Sequence, residues 1–376
     1  MVNMTIPQTS HRFAYLSMML LLSALIGAAL EAVDFKLGWM FGGVCGAALT
    51  SYFLMPAMTL SGKLYIGNMR QAGQAILGGG IGCLLHFSDI GRLGWFFFDI
   101  FFMMVISLIS SFVLAVLYSL ISTRQTVKTT FFSTLPGGIG IMANLAKEYG
   151  ANAELVAILQ SVRILSVVVF IPFLLRNLLH IDIDAIPAIH GESHSGHDIF
   201  STVLILLFAM AGYYMGKKLH IASPSLIGPM LLAIIVNNLM PGQLSITMPS
   251  LLSHIAQILL GVTIGHGIIS RLFFIKLRDL IIGLFSIVLL LLFAVAIAAL
   301  FRLVADVDWQ TAILSTAPGG AAEMIVLAKT LNTHLEIVVT AQVVRQIMVN
   351  ALVPLWVVLS DRMENVLRKG AMDKEI

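Results

Sequence analysis

The sequence has few charged residues. Asp, Glu, Lys and Arg make up 11% of the 376 residues and 59% are hydrophobic, whereas an average soluble domain has about 25% charged residues. A water-soluble protein of this composition could not cover its surface with polar side chains, so lipid must be its main solvent. The composition excludes a soluble domain of any size and predicts an all-α, polytopic membrane protein.

Residues and motifs typical of catalysis are also scarce. Cys45 and Cys83 both lie in apolar, glycine-rich stretches, which favours a packing role over a disulfide or redox pair. There is no nucleophile motif, phosphate-binding loop, dinucleotide fingerprint or basic run typical of nucleic-acid binding. His190, His194 and His197 have a spacing compatible with a metal ion, but a solvated loop is the favoured interpretation. We therefore predict no enzyme, no metal, no cofactor and no nucleic-acid partner.

What the sequence has instead is a series of apolar runs, about as long as the 17–25 residues that cross a bilayer. We predict a first transmembrane repeat (1–176), a polar extracytoplasmic linker (177–197), a second repeat (198–361) and a cytoplasmic tail (362–376). The first run loosely resembles a signal peptide, but its length and the runs after it favour an uncleaved span. The predicted spans are Phe13–Leu30, Leu37–Met55, Ala72–Phe87, Gly94–Leu120, Glu154–Leu175, Asp198–Met215, Pro224–Leu239, His254–Ile269, Leu280–Phe301 and Glu336–Leu359.

Two shorter, interrupted apolar segments, 129–146 and 311–328, carry the clearest signal. Ser-Thr-Leu-Pro-Gly-Gly at 133–138 matches Ser-Thr-Ala-Pro-Gly-Gly at 315–320, and an offset of 182 holds without a gap to Pro172 and Pro354. The 40 aligned pairs contain 16 identities. Because these include Pro, Gly, Lys, Glu, Gln and Arg, shared membrane composition does not explain them, and we infer an internal repeat.

Each interrupted segment is predicted to break at its Pro-Gly-Gly. Proline lacks a backbone donor and glycine removes the side-chain constraint. Unpaired backbone at membrane depth has to be satisfied by protein or by a water-filled cavity. In inverted-repeat transporters such breaks meet near the midplane, where helix N-termini attract anions; a kinked, tightly packed helix is the alternative. The residues assigned to the predicted binding site here are Pro136, Gly137, Gly138, Pro318, Gly319 and Gly320.

The distribution of basic residues favours a re-entrant hairpin for each segment. Each half then has five crossings, so the halves have opposite orientations. With a cytoplasmic N-terminus, 15 Lys and Arg lie inside and 5 outside, and Arg163 and Arg345 lie within spans. Fully crossing segments would move Lys217 and Lys218 outside, against the positive-inside rule. We predict two inverted repeats of about five helices, each with one re-entrant segment, and both termini in the cytoplasm.

Arg163 and Arg345 are predicted to lie near mid-membrane. An arginine there costs about 2.5–3.5 kcal/mol on insertion scales, so it should face the interior and have a partner. Gln160 and Gln342 lie three residues earlier, on the same helical face. Two interpretations stay open. The side chains bind an anionic or carboxylate-bearing ligand together with the hairpin N-termini, or they satisfy the loose carbonyls of the break or pair with a carboxylate.

Glu323 follows the second Gly-Gly, where the first repeat has Ile141. This carboxylate is a candidate for cation or proton coupling or for the salt partner of Arg345. Asp99 is the other candidate partner. The small residues of Gly42-Gly43-x-x-Gly46 fit either a dimer interface or internal packing, which leaves homo-oligomerisation open.

The duplicated Pro-Gly-Gly segments, each followed by a span with a central Gln-x-x-Arg, resemble the AbrB family of bacterial inner-membrane proteins. The resemblance covers both halves, from Phe13 to Leu359. That family is described as a regulator of aidB expression and is often mislabelled as an ammonia monooxygenase. It is unrelated to the DNA-binding transition-state regulator of the same name. The resemblance implies a multi-pass protein of the bacterial inner membrane.

Two functions follow from these features. Inverted repeats, paired breaks and buried arginines predict a secondary transporter of a small solute, with an anion favoured, which binds at the midplane. The resemblance implies the alternative, a membrane regulator or sensor that affects gene expression indirectly, because no DNA-binding element is present. A monooxygenase ranks last because the spans contain no His and carboxylate cluster. The predicted partners are the lipid bilayer and the solute.

Overall fold

A computed structural model of the chain describes residues 8–54, 63–94, 96–122, 125–177, 179, 195–240, 246–272 and 275–372. Within these ranges the secondary structure is helical and contains no strand, as the composition predicts. The helices are α1 (Gln8–Glu31), α2 (Gly38–Leu54), α3 (Lys63–Gly82), α4 (Phe87–Arg92), α5 (Phe96–Ile121), α6 (Val127–Thr134), α7 (Ile139–Glu148), α8 (Ala153–Asn177), α9 (Ser195–Lys218), α10 (Pro224–Leu239), α11 (Ser250–Leu272), α12 (Leu277–Ala305), α13 (Trp309–Thr316), α14 (Ala321–Thr330) and α15 (Leu335–Met372).

Seven helical stretches in the described residues are long and apolar enough to cross a membrane. They are consistent with a multi-pass membrane protein. Helices α2 and α10 have 17 and 16 residues, so their crossing, like that of α3, stays a prediction. The seven stretches are Phe13–Glu31, Phe96–Ile121, Ala153–Asn177, Ile199–Lys218, Ser250–Leu272, Leu277–Ala305 and Leu335–Val366.

Most helix boundaries lie close to the predicted ones, and α10 has the predicted bounds. Helix α3 departs at both ends, because it begins at Lys63 and ends at Gly82 where the apolar pattern predicts Ala72–Phe87. Its first turns contain polar residues, so an apolar run does not mark where it begins. Helix α15 continues through polar turns to Met372, past the predicted end of the span. Most of the predicted linker, with His190 and His194, lies outside the described residues, as do residues 373–376.

The chain forms two compact units, and each takes helices from both halves of the sequence. Unit 1 comprises Met1–Phe87 and Ala188–Phe273, and unit 2 comprises Ser88–Pro187 and Phe274–Ile376. The compact units therefore do not coincide with the predicted repeats. Corresponding helices of the two halves instead lie in the same unit.

Unit 1 contains α1–α3 and α9–α11. Helix α2 packs on α1 and α11, and its counterpart α10 packs on α9 and α3. These contacts are close: a Cβ atom built on Gly43 would lie 2.7 Å from the carbonyl oxygen of Ile258 in α11 and 3.0 Å from the Cα of Gly261. Gly42 and Gly46 face α1 in the same way. Of the two interpretations of this glycine motif, internal packing is the one observed.

Unit 2 contains α5–α8 and α12–α15 and holds the predicted site. Helices α6 and α7 pack on α8, and α13 and α14 pack on α15. A buried cluster that includes Phe131, Phe132 and Met142 packs these helices against α15, where the ring of Trp356 lies 5.6 Å from that of Phe131. Apolar packing therefore holds the first broken segment against a helix of the second half.

Candidate functional site

Both predicted breaks are present. Helix α6 ends at Thr134 and α7 begins at Ile139, while α13 ends at Thr316 and α14 begins at Ala321. The first and last of the four intervening residues have negative φ angles and ψ angles between 129° and 143°. The first glycine of each pair, Gly137 or Gly319, does not have a positive φ angle, and a methionine side chain packs closely against it. A Cβ atom on Gly319 would lie 2.8 Å from the Cε of Met324, and Gly137 is covered by a methionine in the same way.

Each broken segment forms a hairpin whose end lies beside its beginning. The N–H of Asn152, directly before α8, donates to Thr129 Oγ1 near the start of α6, at 3.1 Å. The N–H of His334, directly before α15, donates to Thr311 Oγ1 near the start of α13, at 3.4 Å. The residues that follow α7 and α14 therefore contact the beginnings of α6 and α13. We call residues 127–148 the first hairpin and the matching segment, α13 with α14, the second hairpin.

Glutamine supplies the donor that proline removes at each break. In an α-helix the carbonyl of Phe132 would accept from residue 136, which is a proline. Gln160 Nε2 donates to this carbonyl instead, at 2.7 Å. The carbonyl of Leu314, four residues before the second proline, accepts from Gln342 Nε2, also at 2.7 Å. Each glutamine thus replaces the backbone donor that is missing at its break.

The two arginines bind the remaining carbonyls of the breaks. Arg163 Nη1 donates to the carbonyl of Leu135 at 2.9 Å, and its Nη2 donates to that of Gly137 at 3.4 Å. Arg345 repeats this pattern 182 residues later, since its Nη1 donates to Ala317 and its Nη2 donates to Gly319 at 2.8 Å. These bonds confirm the interpretation that the arginines satisfy the broken backbone. Their role in binding a ligand stays a prediction.

Two hydrogen-bonding atoms that recur at both breaks lack a partner among the described residues, as does Ser315 Oγ just before the second break. The recurring atoms are the Nε donors of Arg163 and Arg345 and the Oε1 acceptors of Gln160 and Gln342. All four side chains are at most 1% exposed. In addition, no side chain caps the first turn of α7 or α14, so the positive ends of two short helices lie at the breaks. Buried groups in this condition require water or a ligand.

The breaks carry a surplus of positive charge. Glu323 is fully buried in the first turn of α14 and interacts electrostatically with both Arg163 and Arg345. Two guanidinium charges and one carboxylate charge leave a net charge of +1. Asp99, the other predicted partner, lies in the first turn of α5 and forms no ion pair with either arginine in the described part of the chain.

A small cavity with room for about one water molecule lies beside Arg163. Two hydroxyl groups that line the cavity donate to backbone carbonyls. Ser133 Oγ donates to the Thr129 carbonyl at 2.7 Å, and Ser286 Oγ donates to the Ile282 carbonyl at 3.1 Å. The cavity therefore combines an arginine with hydroxyl oxygens that can accept. Its other lining residues are Tyr118, Thr134, Leu159, Gly283, Ile287 and Leu290.

Residues 39–360 match the model of a protein family described as "Transition state regulatory protein AbrB". The chain belongs to the AbrB family. It is 30% identical over 353 residues to "Uncharacterized protein YhjN" of Bacillus subtilis (strain 168), which covers 89% of this chain and 90% of that protein. It is also 30% identical over 218 residues to "Putative regulator AbrB" of Escherichia coli (strain K12), which covers 58% of this chain and 61% of that protein. The resemblance carried by the repeated motifs is confirmed.

Two polar contacts of this AbrB-family chain fix where the first hairpin begins. Lys128 Nζ, in the first turn of α6, lies 2.7 Å from Asp361 Oδ1 near the end of α15. Gln125 Nε2, just before α6, donates to Asp279 Oδ2 at the start of α12, at 3.0 Å. Asp279 is buried. The sequence did not mark it, because a carboxylate at a helix N-terminus is ordinarily an exposed cap.

Sequence reasoning also missed a polar cluster in unit 1 of this AbrB-family chain. His266 Nδ1 lies 2.9 Å from Ser51 Oγ and 3.1 Å from the Tyr15 hydroxyl, which is 2.9 Å from Ser51 Oγ. These residues lie on α11, α2 and α1. Because they are far apart in the sequence and His266 has no histidine counterpart in the first half, no local pattern indicated the cluster.

Proposed function

We propose that this AbrB-family protein is a secondary transporter of a small anionic solute, which binds where the two hairpins approach each other in unit 2. The observation that carries the proposal is the pair of buried, unpartnered donors at the two breaks, namely Nε of Arg163 and Arg345. A net charge of +1 and two uncapped helix N-termini accompany them. An anion would satisfy the donors and neutralise the surplus charge.

The first support for inverted repeats comes from α15. The second hairpin begins beside His334, at the start of α15, whereas the first begins beside Asp361. With a rise of about 1.5 Å per residue, these two positions on α15 are roughly 40 Å apart. That distance exceeds the roughly 30 Å of a bilayer core. We infer that the hairpins enter from opposite sides.

Helix α12 supports the same arrangement independently. It begins at the level of the first hairpin, because Gln125 contacts Asp279. It ends at Ala305, shortly before the second hairpin. Its 29 residues span roughly 43 Å at the helical rise. We therefore keep the proposal of inverted repeats at 1–176 and 198–361, with both termini in the cytoplasm of a bacterial inner membrane.

Hairpins that enter the membrane from opposite sides would place the site near the middle of the bilayer. Arg163 follows Asn152, the base of the first hairpin, by 11 residues, or roughly 16 Å along α8, which is about half the thickness of the bilayer core. Broken helices that meet at the midplane of inverted repeats are typical of alternating-access transporters. Their uncapped N-termini would then face a solute that enters from either side.

The experiment that tests this function compares Arg163→Gln and Arg345→Gln with the wild type. Purified protein is titrated with chloride, nitrate, formate, acetate, succinate and sulfate at constant ionic strength, and the melting temperature is measured. We expect at least one anion to stabilise the wild type, both variants to lose this effect, and that anion to cross proteoliposomes only with wild-type protein. Arg302→Gln is the matched control, because Arg302 is exposed and lies over the Trp309 ring.

The proposal fails if no small anion stabilises the wild type, or if the buried-arginine variants respond to anions as Arg302→Gln does. Loss of folding in the arginine variants would be recognised by loss of helical signal before titration. In that case Glu323→Gln, which removes the carboxylate from the breaks and raises their charge to +2, provides an independent test, because it should strengthen anion binding.

A membrane sensor or regulator is the second candidate, and the printed name of the Escherichia coli relative favours it. The family description and that name indicate a regulator and not an enzyme. The same buried site would then bind a solute whose occupancy is reported to a partner. Anion binding without flux in proteoliposomes, together with altered gene expression in cells that carry Arg163→Gln, would favour the sensor over the transporter.

A further inference from the structure

The two hairpins differ at one position that bears directly on their charge. Glu323 lies three residues after Gly320 in the second hairpin, and Ile141 lies three residues after Gly138 in the first. The glutamine and arginine bonds to the break are otherwise repeated at an offset of 182. The second hairpin thus contains a carboxylate in a place where the first has an apolar side chain.

Glu323 complements the second hairpin electrostatically. It lies in the first turn of α14, where a carboxylate interacts favourably with the partial positive charge of the helix N-terminus. The first turn of α7 contains no acidic residue, and no side chain caps it. The N-terminus of α7 therefore lacks the negative group that α14 possesses.

The side chain at position 141 points back toward this N-terminus. Ile141 Cδ1 lies 3.7 Å from the place that a Cβ atom on Gly138 would occupy. A carboxylate at position 141 would consequently come close to the uncapped first turn of α7. Position 141 is only half-buried, which leaves space for a different side chain or for a ligand beside it.

The first break also has a group that an anion would bind. Arg163 Nε is a fully buried donor without a partner among the described residues. Four charged residues in the described part of the chain are buried: Arg163, Arg345, Glu323 and Asp279. Asp279 lies at the base of the first hairpin, so the breaks themselves keep a charge of +1. One monovalent anion would make them neutral.

We propose that the solute carries a single carboxylate, and that this carboxylate binds at Arg163 and the N-terminus of α7, in the place that corresponds to Glu323 in the second hairpin. Glu323 then occupies the carboxylate position of the second hairpin, and the solute occupies the equivalent position of the first. This inference rests on the proposed function and adds the class of solute, its charge and the hairpin that binds it. A divalent anion would leave the loaded site with a charge of −1, which is unfavourable inside the membrane.

Ile141→Glu is the decisive variant, because it gives the first hairpin the carboxylate that the second already has. Formate and acetate, the smallest monocarboxylates, serve as probes and are titrated against purified protein at constant ionic strength. We expect both to raise the melting temperature of the wild type and of the matched control Ile141→Gln. Ile141→Glu should bind them at least about tenfold more weakly, while its melting temperature without added anion stays at or above that of Ile141→Gln.

The reciprocal variant Glu323→Gln leaves both hairpins without a carboxylate and raises the charge of the breaks from +1 to +2. We expect it to bind two formate ions per chain, or one malonate dianion, where the wild type binds one formate and responds weakly to malonate. Isothermal titration of the detergent-solubilised protein measures this stoichiometry. One formate per chain in both proteins, with malonate still weak in Glu323→Gln, would overturn the inference.

The outcomes separate this inference from the function on which it rests. Acetate binding that depends on Arg163 but is unchanged in Ile141→Glu would leave the anion site intact and overturn the position of the carboxylate. Stabilisation by chloride or sulfate, but not by formate or acetate, would leave anion transport intact and overturn the solute class. The absence of any anion effect on the wild type would overturn both.

Discussion

Leucine in place of Gln160 removes the donor that replaces the N–H missing at Pro136. The carbonyl of Phe132 would lose the 2.7 Å bond from Gln160, and no helical donor can take its place because residue 136 is a proline. The carbonyl of Leu135, the other acceptor of Gln160, keeps its 2.9 Å bond from Arg163. The change therefore leaves one buried carbonyl without a partner and weakens a second.

Two estimates of the size of this effect compete. A buried carbonyl without a partner costs about 1–3 kcal/mol in soluble proteins. Side-chain hydrogen bonds in membrane proteins average about 0.6 kcal/mol, because the unfolded state in the membrane also finds partners. The carbonyl of Phe132, four residues before Pro136, has no replacement donor in its own helix, and both Phe132 and Gln160 are fully buried. We therefore expect a loss of about 2 kcal/mol.

The assay is equilibrium unfolding of the purified protein in mixed micelles, followed by helical signal and by tryptophan fluorescence. Gln342→Leu should behave in the same way, since its bond to Leu314 is also 2.7 Å. Gln257→Leu is the matched control. Gln257 is buried in unit 1 and, among the described residues, its amide nitrogen donates only to the hydroxyl of Ser253, at 3.3 Å. A change for Gln160→Leu within about 0.5 kcal/mol of this control would mean that water, and not glutamine, satisfies the break.

Two further predictions concern packing and capping. Gly43→Ala should destabilise the protein by about 1–3 kcal/mol, because its Cβ would lie 2.7 Å from the Ile258 carbonyl. Gly67→Ala, whose Cβ would meet nothing within 4 Å, should instead stabilise it by about 0.5–1 kcal/mol; equal effects in the same unfolding assay would refute the packing argument. Asp308→Ala removes the cap that accepts from the Thr311 N–H at 2.9 Å and should cost about 1 kcal/mol. Asp308→Ser should recover most of that loss, and a failure to do so would show that the cap is not the cause.

The sequence predicted the parts of the site that are local. Proline and glycine mark both breaks, and the constant offset aligns Arg163 with Arg345, so their equivalent hydrogen bonds could be expected. The predicted start of α3, Ala72, was wrong because polar turns that begin at Lys63 precede the apolar part of this helix. Helix propensity and hydropathy act over a few turns, which is why element positions were predicted better than the contacts among them.

Long-range arrangement could not be predicted in the same way. Nothing in the periodicity indicates that Lys128 lies beside Asp361 or that Gln125 meets Asp279, because these pairs are set by how distant helices pack. The cluster of Tyr15, Ser51 and His266 was missed for the same reason. The interleaved composition of the two units also depends on non-local packing, although the repeat that underlies it is visible in the sequence.

The interleaved units have a consequence for how the protein is made. At about 5–20 residues per second, synthesis of the residues after α8 takes roughly 10–40 s, and during this time α5–α8 exist without α12–α15. The broken backbone of the first hairpin does not have to wait for them, because Gln160 and Arg163 belong to the same half. Its apolar partner Trp356, on α15, is synthesised near the end. Each half can thus complete the hydrogen bonds of its own break during insertion, and the apolar and polar contacts between the halves of unit 2 follow when the last helices arrive.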